Sequence, residues 1–108
     1  MTRLEMVEEG STKIVSVSFA DEAGTALIPT GITWSLYNEL GSIVNSRSAI
    51  VVSPASTILI VLTPSDLQYT QVQKSVYLKV KATYSSTYGT GLSIVDTFEI
   101  PIEKVVGE

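Results

Sequence analysis

The chain has 108 residues, a formal net charge of −4 and a hydrophobic fraction of 44%, which fits one domain with a single apolar core. Its seven basic residues are scattered, and because phosphate binding relies on clustered cations, nucleic acid is excluded as the main partner. Cysteine and histidine are both missing, which excludes disulfides, thiolate and imidazole metal sites, and catalysis that needs a histidine base.

The N-terminal residues do not have the pattern of an export signal. The first ten contain one arginine and three glutamates, and no apolar segment follows them. The longest apolar run, Ile58–Leu62, is far too short to span a bilayer. We therefore expect synthesis in the cytoplasm, with no signal peptide and no membrane partner. One domain should occupy 1–108, with 1–10 and 104–108 as terminal arms and 3–8 as a weakly supported first edge strand.

Lys13–Ala20 and Gly31–Asn38 alternate between apolar and polar residues, as half-buried strands do. Their apolar faces should point into the core, with Val15, Val17 and Phe19 from the first segment and Ile32, Trp34 and Leu36 from the second. Asp21–Gly24 and Asn38–Gly41 predict turns, the first with Gly24 available for a positive φ. Trp34 is expected to be a central core ring and not a platform for sugar.

The middle of the chain predicts three more strands, at Ser42–Asn45, Ser48–Val52 and Ser56–Thr63. The last of these is apolar on both faces, with Ile58, Ile60 and Leu62 on one and Leu59 and Val61 on the other. Thr63–Leu67 then predicts a single helical turn that crosses between sheets, with proline at an early position and Thr63 or Ser65 as its cap.

The closing hairpin has the clearest pattern. Val76, Leu78, Val80, Ala82 and Tyr84 alternate with mostly polar residues, and beyond a loop at 88–91 one face is shared by Leu92, Ile94, Phe98, Ile100 and Ile102. Pairing Val80 with Phe98 also places Lys79 opposite Glu99, a favourable cross-strand charge pair. Asp96 interrupts the apolar face. A β-bulge that re-aims its side chain is the simplest interpretation, and a functional carboxylate is the alternative.

These segments amount to about seven short strands with a tryptophan on a central strand, the pattern of an all-β, immunoglobulin-like (fibronectin-III-like) two-sheet sandwich. The inter-sheet disulfide of many such domains is absent. Val76 stands where they often carry a tyrosine, so the match is to the broad architecture.

No group of residues predicts catalysis, and we expect no catalytic, cofactor-binding or metal-binding residues and no enzymatic activity. The eleven acidic residues lie mainly in the N-terminal segment, in turns and on outer strand faces, where solvated surface charge is the ordinary interpretation. Calcium binding would require Asp21, Glu22 and Asp66 to converge from separate loops, and we expect ordinary turn acids instead. Gly89 and Gly91 form a Gly-x-Gly without the following helix that a phosphate site needs.

Since no catalytic site is predicted, we expect the chain to act by binding a partner through its surface. A strand with one buried face should alternate, so the two-sided apolar character of 56–63 needs a cover, either a connecting segment or a partner chain. Residues 49–52 have the same character, and the two strands together would make a patch that a monomer seldom leaves bare. The sequence therefore predicts self-association or partner binding through an interface at Ile50, Val52, Leu59, Val61 and the loop residue Tyr88.

Two stretches resemble small immunoglobulin-like proteins of tailed bacteriophages and prophages. The first stretch, Val17–Gly24, is a strand that ends in Asp-acid-x-Gly, and Pro29 follows it. The second, Ile32–Gly41, has the pattern apolar-Thr-aromatic-x-Leu-Tyr and ends in a turn glycine. With the closing hairpin, the resemblance covers about residues 11–103. It implies a virion component without enzymatic activity, present in many copies at the capsid, neck or tail, and held by contacts with other virion proteins or with itself.

Two other functions remain open. A carbohydrate- or surface-binding module would present Tyr37, Tyr69 or Tyr88 from its loops, since loop aromatics serve recognition by stacking. A bacterial adhesion domain detached from a longer chain is the third hypothesis, which the missing export signal disfavours.

Overall fold

The computed structural model describes residues 2–8, 10–21, 23–68, 74–86 and 88–103. Within them the chain is all-β, and no helix is long and apolar enough to cross a membrane. The described strands are β1 (Thr2–Arg3), β2 (Val7–Glu8), β3 (Lys13–Ser18), β4 (Gly31–Tyr37), β5 (Ile50–Val52), β6 (Thr57–Leu62), β7 (Ser75–Ser86) and β8 (Gly89–Glu103).

The strands form two sheets. The larger sheet has the order β1-β8-β7-β4-β5, and β2 also pairs with β8. Strand β7 is antiparallel to both β4 and β8, whereas β1 and β2 run parallel to β8. The smaller sheet consists of β3 and β6, which are antiparallel. The predicted all-β class is confirmed, and the two sheets are consistent with a β-sandwich.

One apolar core forms because the long strands alternate and bury one face each. Strand β3 shows the pattern most simply, since Val15 and Val17 are buried while Ser16 and Ser18 are exposed. The same alternation in the other strands buries Ile32, Trp34, Leu36, Ile58, Ile60, Leu62, Val76, Leu78, Val80, Ala82, Ile100 and Ile102. The inward residues predicted for β3, β4, β6 and β7 are therefore confirmed.

Two turns with the same sequence pattern share one geometry. In each, the side-chain Oδ1 of the first residue, Asp21 or Asn38, accepts hydrogen bonds from the backbone N–H groups two and four residues later, at 2.9–3.1 Å. The glycine three residues on, Gly24 or Gly41, has a φ of +81° or +80°, which costs glycine little. Both predicted turns are confirmed, and they fix where β3 and β4 end.

The N-terminal segment lies along the edge of the larger sheet. Strand β1 pairs Arg3 with Glu99, and β2 pairs Val7 with Ile102. The predicted edge strand is thus two short pieces, and residues 2–8 belong to the sheet instead of forming a free arm. The predicted C-terminal arm lies outside the described residues.

The closing hairpin is confirmed, but its predicted register is wrong by two residues. Phe98 lies opposite Leu78 instead of Val80. The connection lies earlier in the chain than predicted, between Ser86 and Gly89 instead of at 88–91, and this moves every pair. Because side chains alternate with a period of two, the inward face is unchanged. The predicted pairing of Lys79 with Glu99 directly across the strands is lost.

Asp96 lies opposite Val80 in a regular ladder, so the predicted bulge at this residue is wrong. The register shifts only near the end of the hairpin, between Tyr84 and Ser86. The side chain of Asp96 is exposed, and β1 and β2 pair with β8 only from Phe98 onward. This part of β8 therefore lies at an open edge of the described sheet.

Of two elements predicted in the middle of the chain, the short strand is wrong and the single turn is present. Ser42–Asn45 forms no strand, because Ile43 makes only an isolated bridge with Tyr37. The segment after β6 is one tight turn, in which the Asp66 N–H donates to the Thr63 carbonyl at 2.9 Å and the Leu67 N–H to the Pro64 carbonyl at 3.3 Å. Two successive hydrogen bonds between residues three apart are those of a single 3₁₀ turn, which agrees with the helical turn predicted between the sheets. The carboxylate of Asp66 caps this turn by accepting the backbone N–H of Thr63, a role that the sequence assigned to Thr63 or Ser65.

Candidate interaction surface

The outer face of the smaller sheet carries the exposed apolar side chains of Ile14, Leu59 and Val61, with 57%, 65% and 50% of their surface accessible. Ile14 lies directly opposite Val61, and Ser16 lies opposite Leu59, so these side chains are neighbours on one surface. We call this surface the β3–β6 face. It arises because every residue of β6 after Thr57 is apolar, and an alternating backbone buries only half of them.

Both edges of the smaller sheet are unpaired in the described part of the chain, because no third strand joins β3 and β6. Just beyond the strands, the Phe19 N–H donates to the Ser56 carbonyl at 2.9 Å, which makes these residues a hydrogen-bonded pair. In an antiparallel ladder such pairs alternate with pairs whose amides point away from the partner strand. Counting along β6 from Ser56, every second residue faces β3 and the residues between them face the opposite edge. The amides of Thr57, Leu59 and Val61 therefore point to the free edge of β6.

Strand β6 lacks the residues that usually protect a free edge. Natural edges carry lysine, proline, inward charges or bulges. Thr57–Leu62 contains no charged residue, no proline and no glycine. Strand β3 begins with Lys13 and has Ser16 and Ser18 at outward positions, so its edge is more polar. The β6 edge is the less protected of the two.

The predicted contribution of β5 to this surface is wrong. Ile50 and Val52 are half-buried and pack against the core, whereas Val51 between them is 81% exposed. The alternation of this short strand is offset by one position from the predicted interface, so those two side chains face inward. Strand β5 also pairs with β4 in the larger sheet, and it does not lie beside β6. Leu59 and Val61 do face outward, as predicted.

A shallow groove of about 280 Å³ lies on the outer face of the larger sheet. It is lined by Gly31, Ile32, Thr33, Val51, Lys81 and Thr83. The groove exists because Gly31 has no side chain, and a Cβ there would meet the Thr83 hydroxyl oxygen at 3.3 Å. Ligand pockets usually enclose roughly 300–1,000 Å³, so this groove is too small and open to hold a ligand by enclosure.

The tyrosines predicted as a carbohydrate platform do not converge where they are described. Tyr88 is 78% exposed at the end of the β7–β8 hairpin. Tyr37, in β4, is half-buried and lies opposite Tyr77 of β7. The length of β7 from Tyr77 to the hairpin end is roughly 30 Å, which is too far for one stacking surface. Tyr69 lies outside the described residues.

Asp66 is a fully buried carboxylate that joins two loops. Its Oδ1 accepts hydrogen bonds from Asn45 Nδ2 at 2.8 Å and from Arg47 Nε at 3.2 Å. Its Oδ2 accepts the backbone N–H and the hydroxyl of Thr63, at 2.8 and 2.9 Å. Arg47 also lies 6.0 Å from the ring centroid of Trp34, which is buried in the core as predicted. This cluster fastens the β4–β5 loop of one sheet to the turn that follows β6 of the other.

These contacts stabilise the charge of Asp66. Burial alone would raise its pKa, but the hydrogen bonds from Asn45, Thr63 and Arg47 outweigh burial and lower the pKa below the ordinary value of about 3.8. Asp21 is the other described acid that was considered for calcium binding, and its carboxylate accepts hydrogen bonds from backbone N–H groups of its own turn. No group of three or more acidic residues suited to a metal ion occurs in the described ranges, and Glu22 lies outside them.

The β4–β5 loop is strained, and sequence reasoning missed it. Asn45, Ser46 and Ala49 have φ values of 54°, 59° and 49°, and for serine and alanine this left-handed backbone costs about 1 kcal/mol or more. The Asp66 cluster and a hydrogen bond from the Leu36 N–H to the Arg47 carbonyl, at 2.9 Å, hold the loop. Residues 42–49 of this loop contain no glycine or proline that would signal a turn, and a lone arginine among small polar residues is a weak sign of an ion pair with a buried carboxylate.

No family model, curated protein or solved structure matches this chain. Function is therefore inferred from an exposed apolar surface that lies beside an unpaired strand edge. That surface is the β3–β6 face together with the free edge of β6.

Proposed function

We propose that this chain is a non-enzymatic assembly module of immunoglobulin-like topology, which acts through protein–protein contacts made by the β3–β6 face. In the immunoglobulin fold the second and fifth strands pair in one sheet, and the third, sixth and seventh lie together in the other. With β1 and β2 counted as one interrupted first strand, β3 and β6 fit the first description and β4, β7 and β8 fit the second. The first strand lies beside the last and β5 lies beside β4, which together leave the smaller sheet with two strands.

The observation that carries the proposal is the exposure of Ile14, Leu59 and Val61 beside an unpaired strand edge. Burial of apolar surface contributes about 25 cal/mol per Å², so a partner that covers these side chains gains free energy. A free, uncharged edge is a template for pairing with another chain. A contact surface accounts for both features together.

The setting we propose is the particle of a tailed bacteriophage, in which the chain is a component of the capsid, neck or tail bound to other virion proteins. The resemblance of Val17–Gly24 and Ile32–Gly41 to small phage proteins supports this setting. The first stretch contains the Asp21 turn and the second contains the Asn38 turn. The residues that carry the resemblance therefore include those that form the two turns. Repeated particles use small modules with contact surfaces, which this chain provides.

Mass spectrometry of particles purified from a culture that produces the phage or prophage tests the proposal. We expect peptides of this chain in the particles, in amounts comparable with other structural proteins. A variant with Leu59→Asp and Val61→Asp should be incorporated poorly, because both positions are exposed and the change affects contact more than folding.

Val51→Asp is the matched control, since Val51 is at least as exposed but lies on the larger sheet. It should be incorporated normally. Intact particles that lack the chain would contradict the proposal. Equal incorporation of the natural chain, the double variant and the Val51→Asp control would exclude the β3–β6 face as the contact.

A further inference from the structure

We propose that β6 pairs antiparallel with β6 of a second copy of this chain, so that two β3–β6 sheets join into one four-stranded sheet. This inference rests on the proposed function, because it names a partner for the same surface. A symmetric pair of this kind is isologous, since the same strand serves both molecules.

The first support comes from the main chain of β6. The amides of Thr57, Leu59 and Val61 point to the free edge, and the described residues include no strand that pairs with them. An added strand binds such an edge through its ladder of main-chain hydrogen bonds. The strand Thr57–Leu62 is rich in β-branched residues and has a regular register along its length, which favours pairing.

The direction of these amides selects a register. Only residues whose amides point outward exchange hydrogen bonds across a symmetric antiparallel pair. When Leu59 lies on the two-fold axis, it pairs with Leu59 of the second copy, and Thr57 pairs with Val61 of that copy. This register uses every outward amide of the strand. It also brings the two Leu59 Cα atoms to about 5.5 Å, the spacing of a hydrogen-bonded antiparallel pair.

Charge favours a second copy as the occupant. Each molecule has a net charge of −4, so most self-contacts would bring acidic groups together. Thr57–Leu62 is uncharged, and the only charged residue in the two strands of the smaller sheet is Lys13. Lys13 lies in β3, on the side of β6 away from the new partner. Two copies can therefore meet at this edge without repulsion between neighbouring charges.

The size of the surface favours edge pairing over face-to-face packing. A stable interface usually buries about 800 Å² on each partner, which is more than the side chains of Ile14, Leu59 and Val61 provide. Edge pairing adds main-chain hydrogen bonds to a smaller apolar contact. We expect weak dimers in dilute solution and firm pairing where many copies are held together, because repeated contacts raise the effective concentration.

Single-cysteine variants test the inference, because the chain has no cysteine of its own. With a short bis-thiol cross-linker, at protein concentrations up to about 1 mM, L59C is expected to form a covalent dimer, since the opposite Cβ atoms of such a pair lie about 5.5 Å apart. I14C is the matched control, because Ile14 is exposed on the same face but lies in the strand beyond β6. V51C reports random collision from the larger sheet.

A covalent dimer from L59C well above both controls supports edge pairing. Equal dimer from L59C and I14C means that the faces pack together, and it would overturn the inference. If L59C gives no dimer above the V51C background, the second copy is not the occupant. In that case the presence of the chain in purified particles would still support the proposed function with another partner, and its absence would contradict both.

Discussion

Asp66 is an unexpected residue to find fully buried, because an ionised carboxylate loses its hydration there. It is retained through hydrogen bonds from Asn45, Arg47 and Thr63, which belong to both connected loops. Asp66→Ala would remove the buried acceptor of the Asn45 and Arg47 side chains and would release the strained β4–β5 loop. We expect a loss of about 2–4 kcal/mol in the free energy of unfolding, measured by urea denaturation.

Ser65→Ala is the control for this substitution. Ser65 is exposed and adds two hydrogen bonds to the same cluster, one from Asn45 at 3.3 Å and one with the Thr63 hydroxyl at 3.1 Å. Its removal should cost less than about 1 kcal/mol. Similar losses from the two variants would contradict the role assigned to the carboxylate.

The lowered pKa of Asp66 predicts how stability depends on pH. Above the ordinary value of about 3.8, the carboxyl group is ionised in both the folded and the unfolded chain, and its stabilisation is fully present. As the pH falls below that value and through the lowered pKa of the folded state, the stabilisation is lost. Urea denaturation between about pH 5 and pH 2 should show a smaller loss for Asp66→Asn than for the natural chain. Parallel losses would refute this account.

Local and distant contacts differ in what the sequence reveals of them. The turns at Asp21 and Asn38 are predictable because each side chain bonds to backbone groups within four residues. The pair of Arg47 and Asp66 joins residues nineteen positions apart, in loops that connect strands of different sheets. Their approach depends on how the sheets pack, which no local pattern contains.

At the scale of elements, β6 combines a core face and a contact face. Ile60 is 2% exposed and Leu59 is 65% exposed, although the two residues are adjacent and equally apolar. Ile60→Ala should reduce the free energy of unfolding by about 2–5 kcal/mol because it leaves a cavity. Leu59→Ala should change it by less than about 0.5 kcal/mol. Thermal or urea denaturation of both variants measures the contrast, and comparable losses would mean that Leu59 is covered within the monomer.

Alternation predicted the inward faces of the long strands but was less informative for short ones. When six or more residues alternate between apolar and polar, as in β3, the sequence shows which face of the strand points into the core. The three residues of β5 are all apolar, and their faces depend on pairing with β4. The register of the closing hairpin was also beyond the pattern, because two registers that differ by two residues bury the same side chains.

At the scale of the whole molecule, the number of alternating segments predicted an all-β chain with two sheets. It did not predict which strands share a sheet, since that depends on how the connections cross. The predicted patch joined 49–52 to 56–63, yet β5 and β6 lie in different sheets. The free edge of β6 was likewise not predictable, because it results from β5 pairing with β4 instead of β6.

Amide hydrogen exchange on the free chain and on the assembled particle tests most directly whether the smaller sheet is the contact surface. In the free chain the outward amides of Thr57, Leu59 and Val61 should exchange rapidly, since they point to an unpaired edge. On assembly we expect peptides that cover 57–62 to become protected, while peptides of β7 exchange alike in both states. Unchanged exchange at 57–62, with new protection on the larger sheet, would contradict the account.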